Sequence, residues 1–346
     1  MTSILQAFYS TRSSLNWRSL GLVSALLLSA CGGGPRDQTL EFFALGTEVS
    51  VSLYAVNERQ AEDASEQLQS YFTRVGHDWY PWNPGELRAI NIAIELQEPA
   101  DVSPRLAAII RRAAQIERLS NNRFNAGLGH LTERWGLHML GDEPPSKPNI
   151  NEVAKLLAQA LGVTSIRWID DRIVGAPSGL MLDLGGIAKG AILEDSVQIL
   201  QSLDIENAIV NIGGDLTVIG DVNGRPASIG IRSPTEETPF ATIDVAAGET
   251  IVTSGDYERF VEIDGARYSH ILNPRTGYPV EHTSAVTVIH TDAMLADAAA
   301  TALMVGGPAE FDQLASALEV EFALLIDASG DLRLTPAMDL RLKWLD

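Results

Sequence analysis

Ala208-Ile209-Val210-Asn211-Ile212-Gly213-Gly214-Asp215-Leu216-Thr217-Val218-Ile219 reads as two apolar strands on either side of a glycine turn. A connection that short joins strands as antiparallel neighbours. The signal recurs along the chain. Residues 166–169 and 172–174 flank Asp170-Asp171, residues 257–263 and 266–271 flank Asp264-Gly265, and residues 322–334 turn at Ser329-Gly330. Residues 39–54 alternate in strand fashion with an interruption at Gly46-Thr47, and residues 285–290 read as a further strand.

Helical patterns are interspersed with these hairpins. Residues 58–74 are amphipathic. In residues 103–119, Ser103 stands as cap and Pro104 in the first turn. A glycine-bearing loop from Asn125 runs into a short helix by Gly136, Asn149 caps a helix to Leu161, and residues 185–203, 292–305 and 310–318 complete the set. Residues 78–85, with Trp79, Tyr80 and Trp82 among prolines, form an aromatic loop, and residues 141–148 a proline loop. This mixed order predicts an α+β fold, not a doubly wound parallel sheet.

The chain has 346 residues, 45% of them hydrophobic, with 25 Lys+Arg against 45 Asp+Glu and a formal net charge of −20. So negative a surface repels a phosphate backbone and excludes general nucleic-acid binding. A phosphate-bearing ligand would need a local cation or a cradle of backbone N–H groups. The single cysteine, Cys31, excludes an internal disulfide and any Cys-rich metal site. No Asp or Glu precedes Asp37, Arg12 and Arg18 give a basic start, and an apolar stretch over 20–28 leads to Leu28-Ser29-Ala30-Cys31 and then Gly32-Gly33-Gly34. This is the layout of a secretory signal peptide, too short in its apolar part to span a bilayer. Leu-Ser-Ala-Cys resembles the bacterial lipobox. The expectation is a signal peptide over 1–30, a flexible tether over 31–38 after a lipidated Cys31, and one domain over 39–346 working outside the cytoplasm.

Four polar groupings could carry chemistry. In Leu182-Asp183-Leu184-Gly185-Gly186-Ile187-Ala188-Lys189-Gly190 a short strand ends at an acid, two glycines turn, and a helix begins. Such turns bind anions, and Lys189 could add a charge; an ordinary strand–helix turn accounts for the spacing equally well. Asn211 to Asp215 reads on its own as a plain β-turn. The helix over 292–305 is rich in alanine and puts Asp297 and Thr301 on one face. A hard cation would suit those oxygens. A solvent-facing Asp297, with Thr301 bonding back to its own helix, is the reading the residues alone slightly favour. His270 sits at a strand end before a Pro/Gly loop, either as a general base or as a structural cap. His77, His130, His138, His282 and His290 show no metal-ligand spacing and read as structural.

Taken together and in order, these landmarks resemble the ApbE family of periplasmic FAD:protein FMN transferases. They are the Gly46-Thr47 turn, the aromatic loop with Glu86-Leu87 and Asn91, residues 124–135, 183–190, 211–215, 254–259, 269–279, and Ala296-Asp297 to Thr301. The resemblance implies a T-fold-like α+β architecture of mixed and antiparallel sheets with packed helices, binding FAD as substrate with Mg²⁺. It carries Mg²⁺ ligation onto Asp297, Thr301 and a carbonyl near Gly186, reversing the preference above. It carries FAD contacts onto Leu45, Trp82, Ala126, Gly127, Leu128, Asp183, Lys189 and Ile271, and the general base onto His270. It implies transfer of FMN to a threonine of a target protein with release of AMP; FAD hydrolysis to FMN and AMP, or FAD binding without chemistry, are the alternatives. The implied partners are acceptor flavoprotein subunits of membrane electron-transport complexes, with the protein lipid-anchored on the periplasmic side of the inner membrane. Leu45, Asn125 and Asn273 stand where the family often has Met, Asp and Asp.

Overall fold

The computed structural model describes residues 35–138, 146–159, 162–222, 224–234 and 238–345. The expected signal peptide over 1–30, Cys31 and the loop residues 139–145 and 160–161 lie outside the described residues. Strand β1 (Arg36–Ala44) already pairs Arg36 with Val56, so residues 36–38, expected in the tether, belong to a strand.

An eight-stranded sheet organises the chain. Its order is β1, β2 (Thr47–Val56), β6 (Ala208–Ile212), β7 (Asp215–Ile219), β10 (Thr250–Gly255), β13 (Thr283–His290), β14 (Phe322–Asp327) and β15 (Leu332–Leu334), antiparallel throughout. The architecture is α+β, as the hairpins predict. The turns use the backbone the sequence offers: Gly213, Gly214, Asp264 and Gly265 all have positive φ, the conformation two-residue hairpins require.

Successive side chains leave opposite faces of a strand. Val252, Val286, Val288 and Leu325 pack with helices α3 (Pro104–Leu119) and α7 (Ala293–Ala317). Val210 and Ile212 pack with α1 (Glu58–Asp78) and α6 (Ala188–Ser202). Ile251, Ile289 and Leu324 face the other way, onto a small sheet of β16 (Lys343–Trp344), β9 (Pro239–Val245) and β8 (Ala227–Arg232) and onto α8 (Pro336–Arg341). The result is three layers. Hairpin β11 (Phe260–Ile263)–β12 (Ala266–Ser269) packs with α4 (Gly129–Arg134) and α5 (Ile150–Gln159). Strands β3 (Ala100–Asp101), β5 (Arg172–Gly175) and β4 (Arg167–Ile169) form the remaining sheet.

The two helices expected over 292–305 and 310–318 are both present; they abut within α7 and are separated where Gly307 leaves helical geometry (φ 62°, ψ −169°) before Pro308, since proline cannot continue a regular helix. Two local expectations change. Helix α6 begins at Ala188, not Gly185, and the strand before it reduces to one bridge, Met181 to Leu128. The side chain of buried Asn91, on α2 (Glu86–Glu95), stands in for the missing neighbour: its Nδ2 donates to the Leu182 carbonyl (3.0 Å) and its Oδ1 accepts from the Leu182 N–H (2.8 Å). Helix α2 itself carries no strong start signal, since its cap is Gly85 with no side-chain bond.

Candidate functional site

The Asp183 turn and the loop after Asn125 are held together by main-chain bonds. The Asp183 N–H donates to the Ala126 carbonyl (2.9 Å) and the Gly129 N–H to the Met181 carbonyl (3.0 Å). Gly129 permits this approach, because a Cβ there would lie 2.5 Å from Met181 Cγ. The Asp183 carboxylate accepts from the Gly185 N–H and from the Thr132 hydroxyl, both at 3.0 Å. Burial pushes its pKa up despite those donors. Ala126, Gly127, Leu128 and Asp183 are thus brought into one wall.

Trp82 stacks on His138 at 4.8 Å and meets the edge of Tyr80 at 5.2 Å, while the Tyr80 hydroxyl donates to the His138 carbonyl (2.7 Å). The charge of Asp183 acts on both Tyr80 and His138, so this loop faces the wall. His138, read from the sequence as structural, packs directly on the expected FAD contact Trp82. Trp82 Nε1 and His138 Nδ1 are buried without a hydrogen-bond partner among the described residues. Buried donors and acceptors are seldom left so, and a polar ligand in the slot would satisfy them. Leu45 and Gly46 close the β1–β2 hairpin with φ of 57° and 74°. Left-handed geometry is uncommon for leucine, and it places Leu45 against Gly76.

The charged centre lies where α6 crosses α7. Lys189 makes an ion pair with Asp215, which is 1% exposed and accepts from the Thr253 N–H through Oδ1 (2.9 Å). The Lys189 charge is therefore already partnered, where the sequence leaves it free for an anion. Asp297 is 2% exposed, so it does not face solvent. Its Oδ2 accepts from the Gly190 N–H (2.9 Å). Helix-to-helix contact is main chain on main chain here: a Cβ at Gly190 would sit 2.2 Å from the Ala293 carbonyl oxygen. The Thr301 hydroxyl does turn back toward the Asp297 carbonyl, at a long 3.4 Å, and a Cβ at Gly186 would lie 3.2 Å from it. Gly186, Asp297 and Thr301 thus meet in one corner. Burial, with the Asp215 charge adding to it, raises the Asp297 carboxyl to about 7, and Lys189 opposes the shift. Glu258 is raised as well, by desolvation, within reach of the Lys189 and Asp215 charges.

This corner offers a carboxylate, a hydroxyl and main-chain carbonyls, an all-oxygen set suited to a hard cation. No group of three or more His, Cys, Asp and Glu side chains among the described residues could hold a metal by itself. Mg²⁺ is commonly held by one or two carboxylates together with substrate phosphates, and the residues present fit that pattern.

His270 follows β12. Its N–H (3.2 Å) and its Nδ1 (3.0 Å) both reach the Arg259 carbonyl. A carbonyl only accepts, so Nδ1 carries the ring proton and Nε2 keeps its lone pair. Burial, with the Arg259 and Lys189 charges adding to it, lowers the pKa to about 4, leaving the ring neutral. The next residue, Ile271, is buried and accepts from the Val280 N–H through its carbonyl (2.9 Å).

Asp215, Thr253, Thr132 and Asn91 are the positions whose roles sequence reasoning missed. Asp215 was legible only as the end of a glycine turn; its partner Lys189 is distant in the chain, and only the crossing of α6 over the sheet joins them.

A sequence profile of the ApbE family matches residues 45–326. The FAD:protein FMN transferase of Rhodobacter capsulatus is 34% identical over 332 residues, covering 94% of this chain; the chain spans 62% of that relative's length. The FAD:protein FMN transferase of Treponema pallidum is 31% identical and is matched over 86% of its length and 85% of this chain. Among solved structures, the ApbE protein of Thermotoga maritima superposes with a TM-score of 0.81 at 30% identity, covering 88% of this chain and 99% of its own. The apo form of Pseudomonas stutzeri flavinyl transferase ApbE shares the fold at TM-score 0.77 and 22% identity, over 89% of this chain and 97% of its own.

Proposed function

The chain belongs to the ApbE family, and from that premise we propose that it moves the FMN half of FAD onto a threonine hydroxyl of a target flavoprotein, releasing AMP. The observation that carries the chemistry is the state of His270: a neutral ring, its Nδ1 proton fixed on the Arg259 carbonyl, and a free lone pair on Nε2. A base so prepared has no evident use in a protein that only stores flavin.

In the reaction, the threonine oxygen attacks the FMN-side phosphorus as its proton passes to Nε2 of His270. The new O–P bond forms as the bond from that phosphorus to the bridging oxygen breaks, and AMP departs with that oxygen. Phosphoryl transfer asks little covalent chemistry of the protein, so positioning and charge balance dominate. The wall of Ala126, Gly127, Leu128 and Asp183, with Trp82, Leu45 and Ile271, would seat the flavin nucleotide. Lys189, held by Asp215, lends positive potential beside the base without a mobile charge. Asp297, Thr301 and the Gly186 carbonyl would hold Mg²⁺, which when bound neutralises diphosphate charge and stabilises the leaving group.

The same reading places a lipid on Cys31 and the domain at the periplasmic face of the inner membrane. Its acceptors would be flavin-carrying subunits of electron-transport complexes. Water in place of the threonine would make FMN and AMP, the hydrolytic alternative.

The test is direct. The full chain is incubated with FAD, Mg²⁺ and a flavin-free acceptor subunit, and the acceptor band is examined for flavin fluorescence after denaturing electrophoresis. A covalent, Mg²⁺-dependent label supports transfer. Free FMN and AMP without label refute it in favour of hydrolysis, and intact bound FAD refutes catalysis.

A further inference from the structure

On the face of the main sheet away from α6 and α7 there is a cavity of about 250 Å³ between the strands and β8. Its polar lining is Asn211, Arg232, Thr253, Tyr257, Glu258 and Thr287. None of the residues assigned above to FAD lines it. Yet it adjoins the reacting centre in two places. The Thr253 N–H is the donor to Asp215, the counter-ion of Lys189, and Glu258 interacts with both those charges. The strands part here: β7 and β10 pair only at Thr217–Thr250 and Leu216–Ile251, and beyond that the Asp215 carboxylate takes the place of the ladder. The cavity thus adjoins the Lys189–Asp215 pair from the other face of the sheet, and its Glu258 immediately precedes Arg259, whose carbonyl holds His270.

We propose that this cavity receives the acceptor polypeptide, in extended form, with its hydroxyl residue directed past Glu258 to the reacting phosphorus. The inference rests on the transferase reading and names the surface through which the second substrate arrives. Three observations fit that occupant. The volume lies below the usual range for a pocket holding a whole small ligand and suits a few side chains of a strand. The lining mixes donors and acceptors, with a guanidinium and a carboxylate at opposite signs, which matches a peptide main chain with its own N–H and C=O groups and not a polyanion. Strand β8 ends its sheet, with a ladder partner on one side only among the described residues; an exposed strand edge is a ready template for an added strand.

The experiment uses the full chain, FAD, Mg²⁺ and an array of short peptides, each with one threonine; the best-labelled peptide becomes the probe. Ile229, which lines the cavity from β8, is changed in Ile229→Trp to fill it, and the exposed Arg232 is reversed in Arg232→Glu. Both variants should raise the KM for the peptide about tenfold or more with kcat and the Kd for FAD unchanged, the mark of lost acceptor binding. If Ile229→Trp fails to fold, Arg232→Glu decides alone. An unchanged peptide KM overturns the cavity assignment and leaves the transferase standing. An equal loss of FAD affinity overturns it by giving the cavity to FAD. No labelled peptide with the native chain, while FAD is split or stays bound, sinks the transferase reading and this inference with it.

Discussion

Removing the counter-ion of Lys189 should be among the most damaging single changes in the molecule. Asp215 is 1% exposed, and the Lys189 side chain keeps 28% of its surface in water. Asp215→Ala strands a mostly buried ammonium and takes the acceptor from the Thr253 N–H. Breaking a buried pair by deleting one partner costs about 3–5 kcal/mol. The residual hydration of Lys189 and the nearby Asp297 and Glu258 carboxylates pull the ionic part toward the lower end, and the orphaned N–H adds about 1 kcal/mol or more. A loss near 4 kcal/mol is expected, a large share of the roughly 5–15 kcal/mol that holds a domain folded. Asp215→Asn keeps an oxygen for Thr253 and should lose about 1 kcal/mol less. Lys189→Met alone leaves a buried carboxylate without its cation and should cost as much as Asp215→Asn. Combined, Lys189→Met and Asp215→Asn remove both charges, and replacing a buried pair as a whole is often close to neutral. Urea unfolding of the native chain, Asp215→Asn, Lys189→Met and their combination at constant m-value gives the coupling energy, expected at about 4 kcal/mol or above, since two losses of about 3 kcal/mol give way to little net change. Additivity within about 0.5 kcal/mol would refute the claim that these two side chains stabilise each other.

His270→Gln should slow transfer by about 10²–10⁴ while FAD affinity, measured by fluorescence titration, stays within error; a parallel loss of binding would make His270 structural. In the native enzyme the acid limb of kcat/KM at limiting Mg²⁺ should fall below about pH 7, where the Asp297 carboxyl takes up a proton, and not wait for His270, which protonates only near 4. Stability should move the other way for the metal-free chain: folding raises the Asp297 carboxyl from 3.8 to about 7, so its contribution is full below the lower value and lost as pH rises through the higher one. Asp297→Asn should therefore raise the Tm of metal-free protein at about pH 8 and not at about pH 4, checked by calorimetry across that window. Gly190→Ala should cost about 1–3 kcal/mol or more, because the new methyl would meet the Ala293 carbonyl at 2.2 Å; an unchanged unfolding midpoint would show that α6 and α7 separate easily.

Local chemistry made most of the fold legible. Asp264-Gly265 and Gly213-Gly214 announce hairpins because their backbones take positive φ at little cost. Asn149 is a readable cap, and its Oδ1 does accept from the Asn151 and Glu152 N–H groups. What stayed hidden depends on distant partners. Helix α2 begins at a glycine without a side-chain cap, and nothing nearby shows that Asn91 will bond to Leu182 across the fold. Strands β8 and β9 have little local signal and exist because the second face of the main sheet needs cover. In the site, Asp297 could be weighed only as an acid on an alanine-rich helix. That it is buried and bonded to Gly190 follows from how closely that helix approaches α6. The expected FAD contacts were named through family resemblance, residue by residue, whereas Asp215 and Thr253 needed the folded chain.

The bare crossing of α6 and α7 has a kinetic consequence. No side chain cushions the two helices at Gly190, and the Gly190 N–H spans them to end on Asp297. Hydrogen bonds weaken steeply once stretched or misaligned, so the corner has two conditions, shut or parted, and little between. The Gly190 amide proton can exchange with solvent only in the parted state. Its exchange rate is thus a gauge of how often the corner opens. A ligand that bridges the helices in the shut state alone should slow that one proton by the factor 1 + [L]/Kd, reporting occupancy without any turnover.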